Sequence, residues 1–463
     1  MDRLLNKRQL EVVGRIAGEI ARRGGRAMYA GGVVRDRVLE VESKDVDIEV
    51  YGLALDDLEG LLACYGTVLL VGRQFGVLRL EGLEVEWSVP RRDSRGRHPV
   101  VSVDPEMSFR EASRRRDLTM NAMLRDVLSG ELVDPWNGRK DMEQGILRTP
   151  DPVLFIEDPL RFYRVMQFTA RFEMQPDETL QRTCREMDIS SVSRERVGEE
   201  FEKMWLLAGR PALGLRWLDS TGRLGEILPE LVPLRETGQD PEWHPEGDVW
   251  THTLQVVDAA AALRSGDRER DLLLMWTALL HDIGKPVTSV VRDGRIRAPE
   301  HDRTGAEMAG KVLSRLSGRR KLREGVIKLV AEHMKPLQFQ QNNSSGKAFK
   351  RLALKLHPEA DLELLARLAQ ADYRGTNPGS DQPLERESAM VDWFREMSRR
   401  CRVENEPEKP VLLGRHLLDV MQPGPEMGRV LEEAYRIQID QGLTDWRELK
   451  RLSLDRLDIR VDK

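Results

Sequence analysis

The amino-acid sequence predicts an α+β fold in which a small mixed-sheet head is followed by three mainly helical parts. Four short β-type runs, Arg26–Ala30, Val46–Tyr51, Val77–Leu80 and 83–89, lie within the first 145 residues among stretches of helical periodicity. From 146 to 240 the spacing of apolar residues is helical, as in DPLRFYRVMQFTARF. Two breaks rich in Pro, Gly and charge, PLRETGQDPEWHPEGD and RGTNPGSDQPLE, divide the remainder of the chain. The expected parts are 1–145, 146–240, 241–380 and 381–463. A chain of 463 residues is too long for one ordinary core, which fits this division, and it holds no internal repeat.

Hydrophobic residues make up 40% of the chain and charged residues 33%, a balance that excludes a disordered polymer. The N-terminus alternates charge and apolar residues, and no segment is long and apolar enough to span a bilayer, so a soluble protein is expected. Cys64, Cys184 and Cys401 are far apart in sequence and give neither a disulfide framework nor a metal pair, which points to a reducing cytoplasm. Net charge is −5, yet the basic residues cluster: Arg91, Arg92, Arg95 and Arg97; Arg114, Arg115 and Arg116; and Lys347, Lys350, Arg351 and Lys355. Such runs suit phosphate backbones, but most runs of this kind are solvated surface charge.

The head carries the most informative segment, YAGGVVRDRVLEVESKDVDIEVYG. A strand runs into Gly31-Gly32 and then a helix beginning near Val33, a turn whose backbone and free N–H groups suit a triphosphate, or a plain turn. Asp45 and Asp47 are two apart on a strand and share a face. Two carboxylates so placed repel one another unless a cation such as Mg²⁺ lies between them. Glu86, on the alternating run 83–89, supplies a third carboxylate, with Glu84 the alternative. Three carboxylates beside a phosphate cradle suit two-metal, in-line nucleotidyl transfer; the bland reading is a solvated acidic strand edge.

GGVVRD and KDVDIEVYG resemble the signature of the class II tRNA nucleotidyltransferase and bacterial poly(A) polymerase family, within the DNA polymerase β superfamily. Further motifs follow in the family's order: VEWSVPRRD, RRRDLTMNAML with Leu118 in place of phenylalanine, VDPWNGRKDMEQGILR with Trp136 and Asn137 departing from the commoner middle, and EDPLRFYRVMQFTARF. The resemblance implies that Asp45, Asp47 and Glu86 are catalytic, with Asp45 and Asp47 holding Mg²⁺, and that Glu86 rather than Glu84 is the third acid. It implies nucleotide contacts from Gly31, Gly32, Arg35, Asp36, Arg116, Asp117, Asn121 and Arg164. Asp158 and Arg161, i and i+3 on a helix, would by the same resemblance select C or A by hydrogen bonds to the base; unaided they read as a helix salt bridge. The polar segment between Glu86 and Arg114 corresponds to the family's switching loop, and 193–204 to its neck helix.

Behind the head, His252, the pair His281-Asp282 and Asp372 form the pattern of HD phosphohydrolases, and His301 and His333 add two imidazoles. Imidazole with carboxylate suits Ni²⁺, Mn²⁺, Fe²⁺ or Zn²⁺, and the resemblance to HD domains with the longer histidine set implies Asp282 as a bridge between two ions. The tail segment 412–443, with its PGP turn, is similar to that of the CCA-adding branch that carries an HD domain. The resemblance therefore implies addition of CCA to the 3′ end of tRNA from CTP and ATP. It also implies a 2′,3′-cyclic phosphodiesterase or phosphatase in the HD part. The expected partners are tRNA, ATP and CTP, with no DNA and no membrane, in a cytoplasmic monomer or homodimer. The alternatives are a poly(A) polymerase, a partial CC- or A-adding enzyme, and an HD phosphohydrolase with an RNA-binding head.

Overall fold

The computed structural model describes residues 5–42, 45–71, 76–93 and 101–459. They fall into two compact units, Met1–Met204 with Leu213–Arg223, and Trp205–Ala212 with Leu224–Lys463.

The strands of the first unit are β1 (Arg26–Ala30), β2 (Val46–Tyr51), β3 (Val68–Val71), β4 (Val77–Leu80), β5 (Leu83–Ser88), β6 (Arg91–Asp93), β7 (Val101–Val103), β8 (Leu124–Asp126) and β9 (Leu132–Val133). Seven of them form one mixed sheet in the order β3-β4-β5-β2-β1-β8-β9, while β6 and β7 pair with each other. Only β2 and β5 run parallel within the larger sheet. Alternation decides what each face carries. On β5, Leu83, Val85 and Trp87 are buried while Glu84 and Glu86 point the other way. On β2, Val46, Ile48 and Val50 enter the same core, which leaves Asp47 and Glu49 on the face shared with Glu86. Gly31 ends β1 with φ 70° and ψ −132°, a conformation a side chain disfavours, and the helix Gly32–Val38 starts at the next residue.

After the sheet, the helix Leu160–Phe172 buries Phe162, Val165, Met166 and Phe168. Asp158 lies just before that helix rather than on it, because Pro159 follows and disfavours helical dihedrals at the residue ahead of it. Arg95, Arg97 and the middle of the expected switching loop, 94–100, lie outside the described residues.

The second unit is helical. Val249–Ala262, Arg268–Leu280, His301–Leu316, Arg320–Glu332 and Leu362–Arg374 pack together through apolar faces that include Leu254, Leu272, Trp276, Val312, Leu329 and Leu365. In its tail, Pro425–Gln441 and Trp446–Arg456 close on their own core of Val430, Ala434, Ile437 and Leu449. On the helix Gly346–Leu356, three residues of the basic run are paired with carboxylates of the same unit. Lys350 pairs with Glu408, Lys355 with Glu332, and Arg351 with Asp440 at 2.5 Å. Among the described residues, no helix is long and apolar enough to cross a membrane.

Candidate functional site

The expected residues gather in two constellations, one in each unit. In the first, parallel pairing sets Asp47 directly beside Glu86 as register partners of β2 and β5, with Asp45 immediately ahead of β2. Gly31 closes the other side: a Cβ there would stand 3.2 Å from the Arg116 guanidinium and 3.8 Å from the Asp47 carboxylate. Burial raises the Asp47 carboxyl above the ordinary range, Arg116 opposes this, and Glu86, Asp45 and Glu49 add to the rise. All the donors here are oxygens, and their mutual repulsion is what a divalent cation relieves, so the residues present fit Mg²⁺. Arg79, paired across the sheet, forms an ion pair with Glu86.

The residues expected at the nucleotide form one buried network beside that pair. Arg35 donates to Asp36 at 2.7 and 2.5 Å and to Asn121 Oδ1 at 2.7 Å. Asn121 in turn donates to Asp117 Oδ1 at 2.9 Å, and Arg164 donates to Asp117 Oδ2 at 2.6 Å. Burial alone would raise Asp117, but Arg164 and Asn121 hold it down to about 2. Arg35 and Asp36 are 5% and 3% exposed, so they brace the helix Gly32–Val38 against Asn121 from beneath. Arg161 does not pair with Asp158; it donates to the carbonyls of Leu154 at 2.8 Å and Arg115 at 2.6 Å, while the Asp158 carboxylate accepts from Leu160 N–H at 3.2 Å.

In the second unit the helices bring all six expected ligands to one point. His252 comes from within one helix, His281 and His333 from the C-terminal ends of two, His301 from the start of a fourth and Asp372 from a fifth. Asp282 lies between them. Its Oδ2 is 3.2 Å from His281 Nε2 and 3.8 Å from His252 Nε2, and its Oδ1 is 3.4 Å from His301 Nε2 and 3.8 Å from His333 Nε2. Asp372 Oδ1 completes the first group, 3.0 Å from His252 Nε2. Nδ1 of His281, His301 and His333 each donates to a carbonyl three residues back, at 2.9, 2.7 and 2.7 Å, so every Nε2 lone pair faces the centre. One such lone-pair contact, His301 with His333 at 3.1 Å, needs a proton or a cation between the rings, while His252 Nε2, 3.4 Å from His281 Nε2, donates to Asp372. Nitrogen and carboxylate donors in two groups sharing Asp282 fit a pair of transition-metal ions.

Sequence reasoning passed over Glu246 and His244. They lie in the Pro/Gly-rich segment expected to be a junction, which in fact lines a cavity of about 1160 Å³ opening on Asp282, His301, His333 and Asp372. Glu246 accepts from His252 Nδ1 at 2.7 Å and from His244 Nδ1 at 2.9 Å. Burial opposes these contacts, yet they hold Glu246 down to about 2. His252 rises to about 9 because Asp372 and Glu246 outweigh its burial. Lys285 Nζ, 2.7 Å from Asp282 Oδ2, brings a cation to the same cavity.

A carboxylate pair on parallel strands and a histidine–aspartate centre in one chain define a class, a nucleotidyltransferase coupled to an HD domain. Family models agree: residues 27–148 match the poly A polymerase head domain, 174–234 the probable RNA and SrmB-binding site of polymerase A, and 249–374 the HD domain. The chain is 32% identical over 420 residues to the multifunctional CCA protein of Halorhodospira halophila, covering 87% of this chain and 94% of that one. It is likewise 32% identical over 380 residues to that of Alkalilimnicola ehrlichii, covering 79% and 88%. This chain belongs to the multifunctional CCA protein family. In fold it is similar to the Bacillus stearothermophilus CCA-adding enzyme in complex with CTP, with a TM-score of 0.64 at 19% identity over 98% of both chains. It is also similar to the Thermotoga maritima CCA-adding enzyme complexed with tRNA, with a TM-score of 0.56 at 17% identity over 98% of this chain and 97% of that one.

Proposed function

We propose that this protein adds C, C and A to the 3′ end of tRNA from CTP and ATP, and that its second unit is a metal-dependent phosphohydrolase. The observation that carries the first activity is the Asp47–Glu86 pairing at the Gly31 turn, in a chain whose relatives over most of its length are multifunctional CCA proteins. Asp45, Asp47 and Glu86 would hold Mg²⁺. When bound, that ion acidifies the attacking 3′-hydroxyl and offsets charge on the leaving pyrophosphate. The chain's own groups do the rest. The Gly31-Gly32 turn lets the triphosphate approach the backbone, Arg116 supplies positive charge beside it, and Asp117 and Asn121 bind the ribose. Asp158 and Arg161 read the base edge, admitting C or A, with Arg164 a turn further along.

In the second unit, His252, His281, Asp282 and Asp372 would hold one ion, and Asp282, His301 and His333 another, from among Ni²⁺, Mn²⁺, Fe²⁺ and Zn²⁺. Such ions supply electrophilic activation of phosphate and water. Lys285 offsets charge on the phosphate, and Glu246 orients His252. A 2′,3′-cyclic phosphate or a phosphomonoester is the substrate class.

One assay tests the first reading. tRNA lacking its last three nucleotides is incubated with each labelled NTP singly and together. Two C and one A are the expected product; long A tracts would make the protein a poly(A) polymerase, and C or A alone a partial enzyme.

A further inference from the structure

The Arg161 guanidinium is fixed by its surroundings, and the groups that fix it are ones to which the nucleotide site assigns no other role. One outer nitrogen donates to the Leu154 carbonyl at 2.8 Å and the other to the Arg115 carbonyl at 2.6 Å, while the ring of the fully buried Phe155 stands 5.9 Å away. Each carbonyl is itself tethered. The Arg115 side chain donates to Glu49 Oε1 at 3.2 Å, and Glu49, 1% exposed on β2, is held from its other oxygen by the Tyr51 hydroxyl at 2.6 Å. Leu154 is tethered through Asp151, whose Oδ1 accepts from the N–H groups of Val153 at 2.8 Å and Leu154 at 3.2 Å, and whose Oδ2 accepts from Arg114 at 2.6 Å.

We infer that Glu49 and Asp151 are positioning residues for nucleotide selection: two buried carboxylates that fix the carbonyl cradle in which the Arg161 guanidinium lies. A free arginine samples many rotamers, and a base edge is discriminated only by donors held in one plane and direction. With two N–H groups spent on carbonyls, the remaining donors of Arg161 have one orientation to offer. Glu49 also runs from the catalytic strand, two residues beyond Asp47, so the same β2 sets both the metal-facing carboxylate and the distant tether of the base reader. The inference rests on the template role given to Arg161.

The test compares Glu49→Gln, Asp151→Asn and Arg161→Ala in the full chain. kcat/KM is measured for CTP against UTP on tRNA lacking its last three nucleotides, and for ATP against GTP on tRNA ending in CC. The expected result is selectivity relaxed by about tenfold in Glu49→Gln and Asp151→Asn, and further in Arg161→Ala, without an equal rise in KM for every triphosphate. A general packing defect would lower all four rates together and would overturn the inference. Should Glu49→Gln fail to fold, Asp151→Asn, at a helix start, carries the test. Unchanged ratios in both carboxylate variants with relaxed Arg161→Ala would overturn the inference and leave the template role standing. Unchanged ratios in Arg161→Ala would overturn both.

Discussion

His301 and His333 face each other nitrogen to nitrogen, their Nε2 atoms 3.1 Å apart while each Nδ1 donates to a main-chain carbonyl. Burial, with His301 and His281 nearby, lowers His333 to about 4, so its ring is neutral and open to a metal at pH 7. His333→Ala should therefore lose one of two equivalents of Mn²⁺ or Ni²⁺ and keep the other, whereas Asp282→Ala should lose both. Metal content after dialysis reads this directly, and full loading of the His333 variant would reject the shared-aspartate arrangement.

The opposite end of the cluster carries a proton that a metal must displace. His252 rises to about 9 through Asp372 and Glu246. Its folded-state value exceeds the unfolded one, so this pairing stabilises the metal-free fold fully below about pH 6.5 and ceases to do so as pH climbs through about 9. Metal binding should release that proton at pH 7. Titration calorimetry in buffers of different ionisation enthalpy should show it, with affinity rising by up to about tenfold per pH unit between about 7 and 9. Binding heats independent of buffer would contradict the assignment.

Asp117 fastens the helix Leu160–Phe172 to the segment that leads into β8, since Arg164 and Asn121 meet on its carboxylate. Its value of about 2 lies below the unfolded carboxylate range, so its stabilisation is present above about pH 4 and fades as pH falls towards 2. Asp117→Asn leaves Arg164 without its partner, at a cost of about 2 kcal/mol once the partial exposure of Arg164 is allowed for. The thermal transition of the first unit should fall by roughly 5 °C at pH 7, and the difference from wild type should shrink near pH 3. An equal difference at both pH values would remove the charge from the explanation.

Much of the fold is legible in the sequence because the decisive residues follow strand periodicity or sit in contiguous motifs. β1, β2 and β4 match the apolar runs residue for residue, and β5 stops one residue short of its run, at Ser88 before Val89-Pro90. β3 escapes such reading because Leu69 and Leu70 are both exposed, so no alternation marks it; β8 and β9 are too short to show a period. Glu49 is legible and easily passed over: it continues the Asp45–Asp47 alternation by one step, but its partner Arg115 is 66 residues away. Asp158 looks like a helix residue from spacing alone, and Pro159 sets it outside. Glu246 and His244 have no signal to give, since a polar Pro/Gly-rich segment reads the same as linker or cavity wall.

The two constellations share no residue and belong to different compact units. If each centre needs only its own ligands, the activities should separate in both directions. His281→Ala with Asp282→Ala should abolish Mn²⁺- or Ni²⁺-stimulated hydrolysis of 2′,3′-cAMP while CCA incorporation stays within about twofold, the scatter expected of independent sites. Asp45→Ala with Asp47→Ala should do the reverse, removing incorporation by at least about a thousandfold because the carboxylates that hold the ions are gone. A loss of both activities in either double variant, with thermal stability unchanged, would mean that one centre controls the other. In that event one unit would require the other's ligands, and the independent reading of the two sites would fall.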